Sequence, residues 1–92
     1  MPNTPSARKR TRQIAKRTLR NKTIKSRVKT AIKKFESALN GNDVDQATER
    51  LREAVHMIDR AASKGVIHKN KASRLKSQLM RKFDDFQQQI AS

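Results

Sequence analysis

The first 35 residues contain thirteen Lys or Arg, and the first acid of the chain is Glu36. The downstream half of this run carries apolar residues at steps of three and four, the spacing of one helix face: Ile24, Val28, Ala31, Ile32, Phe35, Ala38 and Leu39. The same face extended upstream falls on polar side chains that a protein core does not accept: Arg20, Arg17, Gln13 and Arg10. We therefore predict a helix of about 34 residues and about 50 Å at 1.5 Å per residue, with a protruding basic N-terminal half that frays unless its ligand orders it.

The residues before this helix are predicted to form an extended lead-in. Both prolines of the chain lie between Met1 and Ser6, and proline disfavours helical backbone in the residue that precedes it. Ser6 is a suitable N-cap for a helix that begins near Ala7 or Arg8.

Two further amphipathic stretches predict two further helices. In the first turn, Gly41 suits a left-handed C-terminal cap, and Asp43 suits an N-cap with Gln46 three residues on. Helix two then covers about Val44 to Ser63, with the apolar face Val44, Ala47, Leu51, Ala54, Val55, Ile58 and Ala62. A turn at Lys64 and Gly65 leads into helix three, with the apolar face Ala72, Leu75, Leu79, Phe83, Phe86 and Ile90.

These patterns predict an all-α fold, a three-helix bundle in up-down-up order whose long first helix extends beyond the bundle. No apolar alternation persists long enough to predict a strand. We expect a single domain, with a basic arm at residues 1–22 and the bundle at residues 23–92.

The net charge of +15 narrows the class of partner. A chain with this much self-repulsion is typically stabilised by a polyanion, with nucleic acid the first candidate and an anionic membrane the second. No segment approaches the length of a membrane span, and no apolar run follows the basic N-terminus to make a signal peptide. The absence of cysteine excludes disulfides, thiolate zinc sites and thiol catalysis, and it suits a reducing compartment.

A solvated helix face is the alternative explanation of the basic run, but such faces normally mix both signs of charge. A polyanion site explains the run better, with Lys and Arg bonding phosphate oxygens and releasing counterions. All three phenylalanines lie in apolar faces, so the chain lacks exposed rings on which single-stranded bases would stack. We therefore expect a folded RNA, recognised by its backbone shape.

Some polar residues have two interpretations that the sequence leaves open. Contact with ribose 2′-hydroxyls and an ordinary exposed or capping role are equally consistent with Asn21, Ser26, Asn70 and Ser73. His68 suits an RNA contact as well as a capping or packing role. The stretch from Glu36 to Ser63 holds six acids against three arginines, so helix two is predicted to be the element least suited to a polyanion.

Enzymatic chemistry has no support in the sequence. Gly41 and Gly65 are isolated turn residues and form no phosphate-binding loop. The carboxylates Glu49 and Glu53 are one helical turn apart and suit exposed ion pairs. The two histidines lack metal-ligand spacing. We predict a non-enzyme without cofactor or metal.

The segment from Asp59 to Leu79 resembles the signature of the bacterial small-subunit ribosomal protein S20 family. The matching residues are Asp59-Arg60-x-Ala62-x-Lys64-Gly65-x-Ile67-His68-Lys69-Asn70-Lys71-Ala72-x-Arg74-x-Lys76-x-x-Leu79. Further matches lie upstream: Asn3, Ser6-Ala7, Lys9-Arg10, Arg20-Asn21-Lys22, Lys25-Ser26-x-Val28-Lys29-Thr30 and Lys33-Lys34. This upstream sequence is similar to that of the cyanobacterial and plastid branch of the family.

This resemblance implies a three-helix bundle that binds 16S ribosomal RNA directly, early in assembly, and inserts its long first helix into the RNA. It also implies other small-subunit components as partners, in the cytoplasm or, for a plastid chain, in the stroma. Charge and resemblance together give one set of predicted RNA contacts: Arg8, Lys9, Arg10, Arg12, Lys16, Arg17, Arg20, Asn21, Lys22, Lys25, Ser26, Arg27, Lys29, Lys33, Lys34, Lys64, Gly65, His68, Lys69, Asn70, Lys71, Arg74 and Lys76.

Two other classes of function share the charge. A histone-like DNA-compacting protein would bind any duplex comparably well. A basic amphipathic helix on an anionic membrane needs an exposed apolar face, and between Arg10 and Ile24 only Ile14 and Leu19 are available for one.

Overall fold

Three helices make up the computed structural model, which describes residues 5–91. They are α1 at Pro5–Asn40, α2 at Val44–Ser63 and α3 at Lys69–Ala91, and no strand occurs in this range. The all-α prediction is confirmed, and the bounds predicted for the second helix agree with those observed. The helices alternate in direction because both connections are short.

The first helix is continuous over 36 residues, which corresponds to about 54 Å at 1.5 Å per residue. It begins at Pro5, a residue type suited to the first turn of a helix because proline has no N–H to leave unpaired. Ser6 therefore lies inside the helix, and its prediction as the N-cap is wrong. The extended lead-in predicted for Met1 to Ser6 is therefore wrong at Pro5 and Ser6, and its first four residues lie outside the described residues.

The molecule is elongated, with extents of 67 × 23 × 16 Å. Its Cα radius of gyration is 18.1 Å, whereas a compact chain of this length would give about 12 Å. The upstream half of α1 accounts for the difference because it extends past the ends of the other two helices.

The turn between α1 and α2 differs from the prediction in which residue is left-handed. The residue in the left-handed region is Asn42, with a φ of 57°, and not Gly41. Asn tolerates this conformation better than most residues. The predicted N-cap of α2 is confirmed, since Oδ1 of Asp43 accepts a hydrogen bond from the N–H of Gln46 at 3.1 Å.

The second turn closes α2 with a left-handed glycine. Gly65 has a φ of 75°. Its N–H donates to the carbonyl of Ala62 at 3.0 Å, and the N–H of Val66 donates to that of Ala61 at 2.9 Å. These two bonds form a Schellman motif, which satisfies the last carbonyls of α2 and turns the chain toward α3.

The core lies between the downstream half of α1 and the inner faces of α2 and α3. Phe35 and Ile58 are completely buried. Phe35 also meets Phe83 of α3, with ring centroids 6.4 Å apart, within the range of favourable aromatic pairs. The buried residues predicted on α1 are confirmed: Val28, Ala31, Phe35 and Ala38.

Two apolar residues assigned to the core are exposed. Val44 is 36% and Ile90 45% exposed. Val44 is the first residue of α2 and Ile90 is near the end of α3, so both lie where the bundle stops. Two buried residues, Ala61 and Ile67, were missing from the predicted faces. Ala61 is buried because α2 packs against both other helices, which widens its apolar face.

Candidate nucleic-acid interface

The basic arm comprises residues 8–22 of α1, and all of it except half-buried Asn21 is exposed. Every residue from Arg8 to Arg20 is exposed, including Ile14 at 56% and Leu19 at 68%. The arm carries eight Lys or Arg and no acid. Its backbone hydrogen bonds are made within the helix, so exposed Lys and Arg side chains are what it offers to a ligand.

The docked half of α1 divides its two kinds of side chain between two faces. Val28, Ala31 and Phe35 face the core. The predicted RNA contacts of this half are exposed: Lys25, Ser26, Arg27, Lys29, Lys33 and Lys34. The cations of the arm therefore continue along the outer surface of the bundle.

A second basic surface, the α2–α3 corner, covers residues 64–76. The exposed residues among its predicted RNA contacts are Lys64, Gly65, His68, Lys69, Asn70, Lys71 and Arg74, and Ser73 is exposed as well. The first turn of α3 lies within this corner, and its N–H groups add a partial positive charge. Lys76 differs from the rest because it is half-buried and forms an ion pair with Asp59, at 2.8 Å from Nζ to Oδ1.

His68 has a structural role at the start of α3. Its Nδ1 accepts a hydrogen bond from the N–H of Asn70 at 3.1 Å, and its carbonyl accepts one from Ala72 at 3.0 Å. Both bonds are those of an N-cap residue, so the capping alternative is confirmed. The ring is exposed, and its RNA contact stays a prediction.

The fold brings the two basic surfaces together where the arm leaves the bundle. Arg27 of α1 and Lys64 of the corner line the same small cleft, together with Ile24, Met57 and Arg60. Because α2 runs antiparallel to α1, its C-terminal end lies beside the arm-proximal end of the docked half. The corner and the arm thus belong to one end of the molecule.

Comparison with known proteins shows to which family the chain belongs. The family model described as ribosomal protein S20 matches residues 2–84.

The chain belongs to the ribosomal protein S20 family.

Individual S20 relatives agree with this assignment. The small ribosomal subunit protein bS20 of Natranaerobius thermophilus is 59% identical over 85 residues, which cover 92% of this chain and 97% of the relative. That of Carboxydothermus hydrogenoformans is 61% identical over 82 residues, covering 89% and 88%. That of Roseiflexus sp. is 55% identical over 83 residues, covering 90% of each chain.

Membership of the S20 family confirms the resemblance and the prediction of a ribosomal protein that is not an enzyme. Within residues 5–91 no helix is long and apolar enough to cross a membrane. Over the same range, no three His, Asp or Glu side chains are grouped so that they could hold a metal ion. The similarity of the upstream sequence to the cyanobacterial and plastid branch of the family stays a prediction.

Two cations outside the predicted RNA contacts line the same depressions as predicted ones. Arg60 lines the cleft with Arg27 and Lys64, and Arg50 lines a groove with Lys33 and Lys34. The available signal was the spacing of Arg60 and Lys64, which puts them on one face as an i, i+4 pair.

Acids of the bundle are held by cations in three observed ion pairs. Glu36 of α1 pairs with Lys82 of α3 at 2.8 Å, and Asp59 of α2 pairs with Lys76 of α3 at 2.8 Å. Glu53 pairs with Arg50 within α2 at 3.0 Å. Two of these three carboxylates therefore turn toward α3, away from the side on which Arg27 and Lys64 meet.

Proposed function

We propose that this protein is a component of the small ribosomal subunit that binds 16S ribosomal RNA directly and supports assembly of the subunit. The observation that carries the proposal is the basic arm, which holds eight cations and no acid and in which every residue from Arg8 to Arg20 is exposed. The bS20 relatives are named as small-subunit proteins, which supports the same assignment.

The shape of the arm favours folded RNA over other polyanions. A single α-helix is about 10 to 12 Å across with its side chains, narrow enough to enter between neighbouring RNA helices. Cations on all its sides would neutralise phosphates that approach from several directions, which relieves the repulsion between closely packed RNA segments.

The position of the aromatic residues argues against single-stranded RNA as the main ligand. Phe35 and Phe86 are buried, and half-buried Phe83 contacts both rings, with centroids 6.4 and 6.3 Å away. Base stacking on a protein needs rings at the surface. Recognition therefore depends on phosphates and ribose hydroxyls, with the α2–α3 corner as a second contact surface.

Hydrogen exchange along the chain tests the proposal. The free protein and its mixture with folded 16S RNA are compared at physiological salt. We expect the amides of the arm to gain protection with RNA, while those around Phe35 and Ile58 are protected in both samples and serve as the internal reference. An arm that exchanges equally fast in both samples would overturn the proposal.

A competition experiment separates this function from general duplex binding. Duplex DNA is added at the same phosphate concentration as the 16S RNA. We expect the RNA complex to persist, because a folded RNA offers a shape that uniform duplex lacks. Displacement by the DNA would favour a histone-like protein.

The proposal places the protein wherever ribosomes of this type assemble, in the cytoplasm or in the plastid stroma for a plastid chain.

A further inference from the structure

A continuous furrow runs between α1 and α2. It consists of three adjoining depressions, of which the first two share Arg27 and Met57 and the last two share Thr30 and Lys34. The α1–α2 furrow begins at Lys64 and Ile24 and ends at Gly41. On the α1 side, this corresponds to about 25 Å at 1.5 Å per residue.

The furrow is lined by cations from both helices. They are Arg27, Lys33 and Lys34 of α1 and Arg50, Arg60 and Lys64 from α2 and its C-cap. The single carboxylate in the lining is Glu53, which already pairs with Arg50 at 3.0 Å. Helix α2 is acidic in total, but the side that meets α1 is cationic, and a furrow of one sign concentrates the opposite charge.

Its dimensions suit the backbone of a nucleic acid. The depression between Arg27, Arg60 and Lys64 holds about 40 Å³, room for about three water-sized groups such as phosphate oxygens. The adjoining depressions are larger, about 380 and 370 Å³. Ala31 and Met57 supply apolar surface in the larger of these two, where a ribose or base can be partly desolvated.

Two hydroxyl groups in the furrow suit RNA in particular. The hydroxyl of Thr30 donates to the carbonyl of Ser26 at 3.0 Å, and that of Thr23 donates to Leu19 at 3.0 Å. A hydroxyl that uses its proton inside the helix presents acceptor lone pairs outward. A ribose 2′-hydroxyl can donate to such an acceptor, whereas deoxyribose has no equivalent group.

We propose that the α1–α2 furrow binds one RNA strand along its sugar–phosphate backbone, with Arg60 as a phosphate contact and Thr30 as an acceptor for a 2′-hydroxyl. The inference rests on the proposed function, because the same RNA is the ligand. It goes beyond that function by assigning part of the interface to α2, through residues outside the basic arm and the predicted contacts.

Oxidation of methionine tests whether RNA covers the furrow. Met57 lies in the lining of the furrow, whereas Met80 is 49% exposed on α3 and serves as a control within the same chain. The protein is treated with peroxide alone and with folded 16S RNA, and sulfoxide at each methionine is measured by mass spectrometry. We expect RNA to slow oxidation of Met57 several-fold relative to Met80. Equal slowing of both, or of neither, would overturn the inference.

The assembled small subunit distinguishes an RNA occupant from a protein occupant. If RNA alone does not slow oxidation of Met57 but the complete subunit does, a protein neighbour covers the furrow, and the RNA assignment is wrong.

The salt dependence of binding tests the role of Arg60. We expect Arg60→Gln to weaken binding to 16S RNA about tenfold and to lower the slope of log K against log salt by about 1. Arg52→Gln is the matched control, since Arg52 is an exposed arginine of the same helix that does not line the furrow. Thermal melting of both variants checks that the bundle is intact.

The outcomes separate this inference from the proposed function. If the parent protein binds 16S RNA and Arg60→Gln behaves like Arg52→Gln, the furrow is not part of the interface, while the proposed function stands. If the parent protein does not bind 16S RNA, both proposals fail.

Discussion

The Nζ atom of Lys76 on α3 lies 2.8 Å from Oδ1 of Asp59 on α2, and this ion pair joins the α2–α3 corner to the middle helix. Lys76 is among the predicted RNA contacts, yet it already has a protein partner. The side chains of Lys76 and Asp59 are 31% and 53% exposed, so a phosphate could compete with the carboxylate for the ammonium group.

Replacing Asp59 tests this competition. We expect Asp59→Asn to lower the free energy of unfolding by less than about 1 kcal/mol, because exposed ion pairs contribute little to stability. RNA binding should become tighter, because Lys76 is released. Denaturant unfolding and RNA titration measure the two effects. The control is Glu36→Gln, which changes the charge equally at the ion pair with Lys82. If Asp59→Asn binds RNA more weakly than this control, Asp59 positions Lys76 for RNA instead of competing for it.

Truncating Phe35 tests the core. Phe35 is completely buried and contacts Phe83, so Phe35→Ala should lower the free energy of unfolding by about 3 to 5 kcal/mol. Ile14→Ala removes an apolar side chain from the arm, where Ile14 is 56% exposed, and should change stability by less than about 0.5 kcal/mol. Thermal and denaturant unfolding compare the two variants. Equal melting temperatures of the two variants would contradict the burial of Phe35 in the core.

The charges of the arm should affect binding without affecting stability. Arg17 and Arg20 are exposed and lie upstream of the core residues of α1, so replacing both with Ala should leave the melting temperature nearly unchanged. The slope of log K against log salt for 16S RNA should fall by about 2, because two phosphate contacts are lost. The double variant of Arg52 and Arg81 removes the same charge from exposed positions outside the predicted contacts. A slope that changes equally in both double variants would indicate a general charge effect.

Alanine substitution at the two glycines should have opposite effects on stability. Gly65→Ala places a Cβ in open space but at a φ of 75°, and the left-handed conformation should cost about 1 to 2 kcal/mol. At Gly41 the added Cβ would lie 3.6 Å from the carbonyl oxygen of Ala38, an ordinary contact, and φ is outside the left-handed region. Gly41→Ala should therefore stabilise the fold by about 0.4 to 1 kcal/mol, by restricting the unfolded chain. If Gly41→Ala is instead less stable than the parent protein, Gly41 and not Asn42 is the residue in the left-handed conformation.

The bounds of α2 and the core of α1 were predictable because burial follows the helical period wherever a helix packs along its length. The errors lie where this condition fails. Val44 and Ile90 continue the pattern at the end of the bundle opposite the arm, where the packing ends. Gly41 and Asn42 are both suited to a left-handed conformation. Which of the two adopts it depends on the hydrogen bonds of the whole turn, and these cannot be read from the two residue types.

The exposure of the basic arm was also predictable, because every face of a helical run with this many cations and no acid is unsuited to a protein core. Its RNA contacts stay a prediction. The cationic side of α2 was not predicted, since a charge total taken along a helix hides the division between its faces. Asp59 and Arg60 are adjacent in sequence but about 100° apart around the helix. Asp59 therefore turns to Lys76 of α3, whereas Arg60 lies beside Arg27 and Lys64.

The continuity of α1 across the edge of the bundle determines how the basic arm can become ordered. An isolated helix must first form a costly nucleus, with an equilibrium constant of about 10⁻³, before residues add to it favourably. Here the segment from Ile24 to Asn40 is already held as helix by the core. If the arm frays without RNA as predicted, its return to helix needs only propagation, one residue at a time from Lys22 toward Arg8. In the proposed RNA complex, the docked half of α1 would thus act as the helix nucleus, and the binding free energy of the RNA would not be spent on nucleation.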